Sequence, residues 1–179
     1  MFTPQHPELP HAHQVLLTRT RLLGAAFALA AIATVRVIAG PPWIAIEYPV
    51  NPYDAATRDA FLAVRTYHHG NGIGLPVTGR AEGIVSGERR TVVLRFDSTS
   101  HAGVVALRKQ WPSEGAWLLV IEAAQGPDDK VTALVELGRD GMVRQVRVPT
   151  RREGRWLLPQ RVTAPDVEAA LREVATHEQ

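Results

Sequence analysis

The chain has 179 residues, no cysteine, 14 glycines and 13 prolines, and 45% of its residues are hydrophobic. Without cysteine there is no disulfide framework, no thiol nucleophile and no thiolate metal site, so the core must hold itself by packing. The formal charge is +2, but setting aside Arg19, Arg21, Arg36 and Glu8 turns the 20 basic and 18 acidic side chains into 17 of each, a balance that excludes the basic footprint of a nucleic-acid-binding domain.

Leu22–Val35 is a short apolar run with Arg19 and Arg21 on its N-terminal side, the order of charge and apolar residues that marks a secretory leader. A bilayer span takes ~20 apolar residues, and continuing to Ala39 reaches that length only by burying Arg36, which is costly unless it snorkels. The run therefore reads first as a cleaved signal peptide and second as a retained N-terminal anchor helix. Ala31-Ile-Ala33 and Val37-Ile-Ala39 both offer the small residues a signal peptidase takes, and the second would release a chain starting near Gly40. In either case the rest of the chain is expected in the periplasm or another extracytoplasmic space.

The expected organisation is a signal peptide or membrane anchor over 1–39, one β domain over 40–149, and a basic loop with a C-terminal helix over 150–179. The part after the leader is long enough to bury a self-sufficient core. Gly40-Pro-Pro42 cannot continue a helix, and Trp43–Tyr48 follows at once with β-forming residues. Ala60–His68 has β-branched and aromatic content, although helix formers over Ala55–Tyr67, with Asp54 as a cap, leave a helix open there. His69–Gly79 carries four glycines and a proline and is expected as a loop. Strands are predicted at Ala81–Val85 and Arg90–Asp97, joined by a hairpin at Ser86-Gly-Glu-Arg, then at Gly103–Arg108, Trp117–Ala124 and Val131–Leu137.

Asp140-Gly141 is a type I′ hairpin signal leading into an eighth strand, Met142–Val148, with the sheet ending near Pro149. Thr163-Ala-Pro-Asp166 has the form of a capping box, and Val167, Ala170, Leu171, Val174 and Ala175 recur at helical spacing over Pro165–His177. Short, evenly spaced strands with turn signals between them predict an all-β sandwich with a short C-terminal helix.

Gly103-Val-Val-Ala-Leu, then Trp111-Pro-Ser-Glu-Gly115-Ala-Trp117-Leu-Leu-Val-Ile, together with Ala81-Glu-Gly-Ile-Val-Ser-Gly87, resembles the immunoglobulin-like domains of the YtkA-like and FixH-like kind. Those are small exported or membrane-anchored bacterial domains, and the resemblance extends loosely over Trp43–Leu137. It implies an immunoglobulin-like β-sandwich of seven or eight strands associated with membrane or metal-handling systems, and no enzyme. Met142–Gln179 lies outside it.

No catalytic constellation emerges from the residues. Gly70-Asn-Gly-Ile-Gly74 lacks the spacing of a phosphate loop, and Gly83-Ile-Val-Ser86-Gly87 is not the Gly-x-Ser-x-Gly of a nucleophile elbow. Asp128-Asp129 reads as a solvated turn. His68, His69 and His101 are the candidate ligands for copper or zinc, but neighbouring side chains on a strand point to opposite faces, so His68 and His69 share one ion only if the chain turns at Gly70. Arg144, Arg147, Arg151, Arg152, Arg155 and Arg161 cluster around one acid, Glu153, and Arg151, Arg152 and Arg155 on the loop are the candidate contacts for an anionic membrane surface or an acidic envelope protein. Trp43, Trp111 and Trp117 are expected in the core, while Trp156 would cover the sheet against the terminal helix. The expected role is a non-enzymatic binding or accessory domain of a bacterial envelope assembly. The alternative is a periplasmic metal carrier that uses the three histidines.

Overall fold

A computed structural model describes residues Gly40–Thr176; the chain divides into the units Met1–Ile38 and Ala39–Gln179, and the predicted leader lies outside the described residues. Two antiparallel sheets stack as a sandwich. The first takes β1 (Trp43–Glu47), β2 (Leu62–His68), β7 (Val104–Leu107) and β6 (Phe96–Ser98) in that spatial order, with the two-residue β3 (Asn71–Gly72) beside β2. The second orders β10 (Val143–Arg147), β9 (Lys130–Leu137), β8 (Ala116–Ala124), β4 (Val77–Val85) and β5 (Glu88–Val93). A separate hairpin, β11 (Thr150–Glu153) with β12 (Trp156–Pro159), precedes helix α1 (Ala164–Thr176).

The all-β sandwich and its terminal helix agree with the sequence, but the strand count rises from the expected seven or eight to twelve for identifiable reasons. The predicted strand Arg90–Asp97 is two strands in different sheets: the chain crosses between them at Leu94, whose N–H donates to Gly79 O at 2.9 Å. Gly79, expected in a loop, is inside β4 because a Cβ there would meet Val120 O at 3.0 Å and the Phe96 ring at 3.1 Å, so the glycine marks a close approach and not a turn. The open helix at Ala55–Tyr67 stops after one turn. The Asp54 carboxylate accepts from Ala56 N–H and the Thr57 hydroxyl, and Leu62 then enters β2.

Turn chemistry was only partly placed by the sequence. Ser86–Gly87, with φ of 51° and 80°, is a tight two-residue hairpin that closes β4 on β5. At Asp140-Gly141 only Gly141 has positive φ, and Gly138 N–H bonds Met142 O while Gly141 N–H bonds Gly138 O. That is a three-residue loop, a turn followed by a glycine bulge, in place of the expected type I′ hairpin.

The inner faces of the two sheets form one core: Ile44, Leu62, Val64 and Leu107 meet Ala81, Trp117, Leu119, Ile121, Ala133 and Val135. Trp117 fits because residue 83, across the sheet in register with it, is glycine. A Cβ at Gly83 would stand 2.4 Å from Trp117 Cε3. On the outer face of the second sheet, Leu118, Val120 and Leu134 pack against Val167, Ala170 and Leu171 of α1. The helix starts as its capping sequence requires, the Thr163 N–H and hydroxyl donating to Asp166 Oδ2 at 2.8 and 2.7 Å.

Two carboxylates flank this docked helix. Glu82, Leu118 and Glu136 stand in one row across β4, β8 and β9. Glu82 accepts from Arg80 Nε at 2.7 Å, Thr91 Oγ1 at 2.8 Å and Arg89 at 3.2 Å, and Arg89 also bonds Glu168 of α1. On the other side Arg147 lies 2.7 Å from Glu136 and 3.1 Å from Glu173 of α1. Arg144 adds a second positive charge 3.7 Å from Glu136, whose oxygens are held by charge proximity and not by well-angled donors. Arg89 and Arg147 thus each tie a buried sheet carboxylate to an exposed helix carboxylate. Burial pushes the Glu82 carboxyl up, but the bonds from Thr91, Arg80 and Arg89 outweigh it and leave the carboxyl below its ordinary value.

Two outcomes follow. Gly83→Ala will destabilise the fold by about 1–3 kcal/mol, the cost of overpacking a filled core, as read by urea unfolding. Because the folded Glu82 carboxyl titrates below its unfolded value of 4.5, its contribution is complete above that pH and fades as the pH falls through the folded value. Glu82→Gln is therefore expected to lower stability by about 1–3 kcal/mol at neutral pH, with the gap to the parent protein narrowing in acid.

Candidate functional site

The chain enters the domain through Gly40-Pro41-Pro42, and this entry gathers two of the groups singled out in the sequence. His68 ends β2 and pairs with Asn71 of β3, so His69 and Gly70 are the two central residues of a tight hairpin, with φ of 51° and 78°. A left-handed φ at His69 is uncommon for a side chain of that size. It removes the strand alternation that would have sent the two imidazoles to opposite faces. Their ring centroids are 4.2 Å apart. Both face Gly40: His68 Nε2 lies 2.9 Å from Gly40 O, and Gly40 N lies 3.3 Å from His69 Nε2.

His101 is engaged elsewhere. Its Nε2 stands 3.1 and 3.2 Å from the two Asp54 oxygens. The Asp54 carboxyl is held below its ordinary value first by the Ala56 N–H and then by His101. The structure therefore brings His68 and His69 together and places His101 with Asp54, and among the described residues no three His, Cys, Asp or Glu side chains gather as a metal cage.

Arg151, Arg152 and Arg155 lie not on an irregular loop but on and between the strands of the β11–β12 hairpin. The signal was present in the sequence: Gly154 between Glu153 and Arg155, followed by the short apolar run Trp156–Pro159. Gly154 has φ 59° and Arg155 does not share a positive φ, the pattern of a type II′ turn with glycine first. Register places Arg151 across from Leu158, Arg152 across from Leu157, and Glu153 across from Trp156. The Arg155 guanidinium sits over the Trp156 ring, 4.8 Å from its centroid. Trp156 is 61% exposed and Leu157 55%, so Trp156 does not cover the sheet as expected. It stands on a separate two-stranded sheet and stays in solvent.

The hairpin and the chain entry share one end of the domain. Pro41 and Pro42 line a cleft of 410 Å³ with Arg151, Leu158, Pro159 and Arg161, and the turn Pro127-Asp128-Asp129 closes its other side. Lys130 within it is paired to Glu122 at 2.9 Å. Asp128 and Asp129, read as a solvated turn, thus face the arginine hairpin across a cleft. Gly70–Gly74 has become the His69–Gly70 turn and β3. Ser86 is a hairpin residue with φ 51°. Comparison with family models, with curated proteins and with solved structures finds no match.

Trp111 and Trp117 are buried as expected, but Trp43, on the first strand at the edge of its sheet, is 36% exposed and not in the core, so Trp156 and Trp43 stand apart from the two buried indoles. Trp156→Ala is expected to change unfolding free energy by less than about 0.5 kcal/mol, while Trp117→Ala, which empties a site that is 2% exposed, will cost about 3–5 kcal/mol. Chemical denaturation of the two variants makes the comparison.

Proposed function

We propose that this chain is an exported, non-enzymatic binding domain of a bacterial envelope, with an immunoglobulin-like sandwich as scaffold and the β11–β12 hairpin as its contact surface for an anionic membrane. Support for the immunoglobulin-like scaffold is the strand order. β1-β2-β7-β6 stacked on β9-β8-β4-β5 follows the ABED and GFCC′ order of such domains, with β10 added beyond the last strand. Support for the surface is one observation: a short hairpin carries an exposed tryptophan on the face of Arg151 and Glu153, which are paired at 3.4 Å, and an exposed leucine on the face of Arg152, with Arg155 at its turn. An indole and an aliphatic side chain enter the headgroup region, while guanidinium groups pair with lipid phosphates.

Placement adds to this. Arg151, Leu158 and Pro159 of the hairpin share a cleft with Pro41 and Pro42, so the chain entry at Gly40 lies beside the hairpin.

Sedimentation with vesicles of phosphatidylglycerol and phosphatidylethanolamine tests the reading. Binding is expected to these and not to phosphatidylcholine vesicles, and to weaken with salt. Each arginine near an anionic surface contributes about 1 kcal/mol, so Arg151, Arg152 and Arg155 all changed to Gln will lower affinity roughly 100-fold. Absence of binding, or equal binding to neutral vesicles, overturns it.

A further inference from the structure

We infer that removal of the leader after Ala39 creates a copper(II) site at the new N-terminus, built from the Gly40 α-amine, the Gly40 carbonyl oxygen, and the Nε2 atoms of His68 and His69. The inference rests on the export part of the proposed function and is independent of the hairpin. Val37-Ile-Ala39 is the processing sequence that ends at Gly40. Hydrolysis of the Ala39–Gly40 peptide bond consumes one water, leaving a carboxylate on Ala39 and a free amine on Gly40. In the unprocessed chain the Gly40 nitrogen is an amide whose lone pair is delocalised into the carbonyl, and it only donates a hydrogen bond. After hydrolysis it is an amine with a lone pair for a metal, already beside two imidazoles.

The spacing suits an ion. Nitrogen ligands at about 2.0–2.1 Å from a metal, separated by angles between square-planar and tetrahedral, stand roughly 2.9–3.4 Å from each other. The amine nitrogen is 3.3 Å from His69 Nε2, and the carbonyl oxygen is 2.9 Å from His68 Nε2. The nitrogen and oxygen of one residue close a five-membered chelate ring, and the two imidazoles complete four donors. Such a nitrogen-rich set with one oxygen favours copper(II) over zinc by the order of affinities among first-row ions. Access is open, since His69 is exposed and His68 half-buried.

Residues 40 and 41 fit the same role. Gly40 packs closely on the ring it would share a metal with: a Cβ there would lie 3.3 Å from His69 Cε1. Pro41 has no N–H, so the second backbone nitrogen cannot deprotonate and join the coordination sphere. The metal is thereby directed away from the peptide chain and toward the histidines. His101, bonded to Asp54, is not required, and this distinguishes the site from the three-histidine carrier expected from the sequence.

The test uses the full chain, expressed in a bacterial host with its own leader and a C-terminal tag and recovered from the periplasm. Intact mass fixes the first residue. Copper(II) alone is then titrated against a competing chelator and followed by electron paramagnetic resonance. The expected result is a chain starting at Gly40 that binds one copper with nitrogen hyperfine structure. His68→Ala, His69→Ala and carbamylation of the α-amine should each weaken binding more than about 100-fold, beyond the loss caused by removing an outer-shell partner, and His101→Ala should leave it unchanged. A mature chain that starts elsewhere overturns the processing step and with it the export reading at this residue. A chain that starts at Gly40 but binds no copper, or binds it equally well after carbamylation or without His69, overturns the site and leaves export intact.

Discussion

The structure depends on covering both faces of its second sheet. Residues Ala116–Ile121 of β8 are buried without interruption, which a strand tolerates only when both of its faces are removed from water. One face meets the first sheet and the other meets α1. The helix is therefore not an appendage. Its apolar stripe replaces the solvent that Leu118, Val120 and Leu134 would otherwise meet. Glu82 and Glu136 sit in the same row as Leu118, and each is linked through an arginine to the helix. A buried carboxylate without a partner is strongly destabilising, so these pairs set where along and across the sheet the helix can lie.

With the helix fixed, the connection that leads to it is fixed as well. β11 and β12 span the distance between β10 and α1 and project as a hairpin at the domain end where Gly40-Pro41-Pro42 enters. The sandwich thus assembles at one end the chain entry, the arginine hairpin and the acidic turn Asp128-Asp129. Gly40 joins the His69–Gly70 turn to the same entry through contacts of both imidazoles with its backbone. Groups 28 and 29 residues apart in the chain meet there, and the functional readings proposed above concern that end.

Much of the fold was legible in the residues. Strand alternation and turn composition located β1, β2, β7, β8, β9 and β10 to within a few residues, and the capping pair Thr163 and Asp166 located α1, since these signals are local. Harder to read were features in which a residue answers to a distant neighbour. Gly79 looked like a loop glycine because nothing nearby in sequence announces Phe96 above it. Asp140-Gly141 carried the stronger hairpin sequence, yet two-residue turns with both φ positive formed at Ser86–Gly87 and His69–Gly70, where strand register closes them. The candidate site was legible in part. His68 and His69 stood out as neighbours, the arginine run was plain, and Gly154 before Trp156–Pro159 signalled the β11–β12 hairpin, but the meeting of both imidazoles with Gly40 had no local signal.

By itself the sequence determined a cysteine-free chain with an apolar run at Leu22–Val35, a strand-rich domain and an amphipathic terminal helix, because composition, periodicity and capping act between residues a few positions apart. Only the tertiary structure decided which histidines meet and what they face. A left-handed backbone at His69 turns its ring beside that of His68, and strand pairing brings both to Gly40 while Asp54 takes His101. The physical reason is that side-chain convergence depends on backbone direction and strand register, and both are set by packing across the whole sandwich.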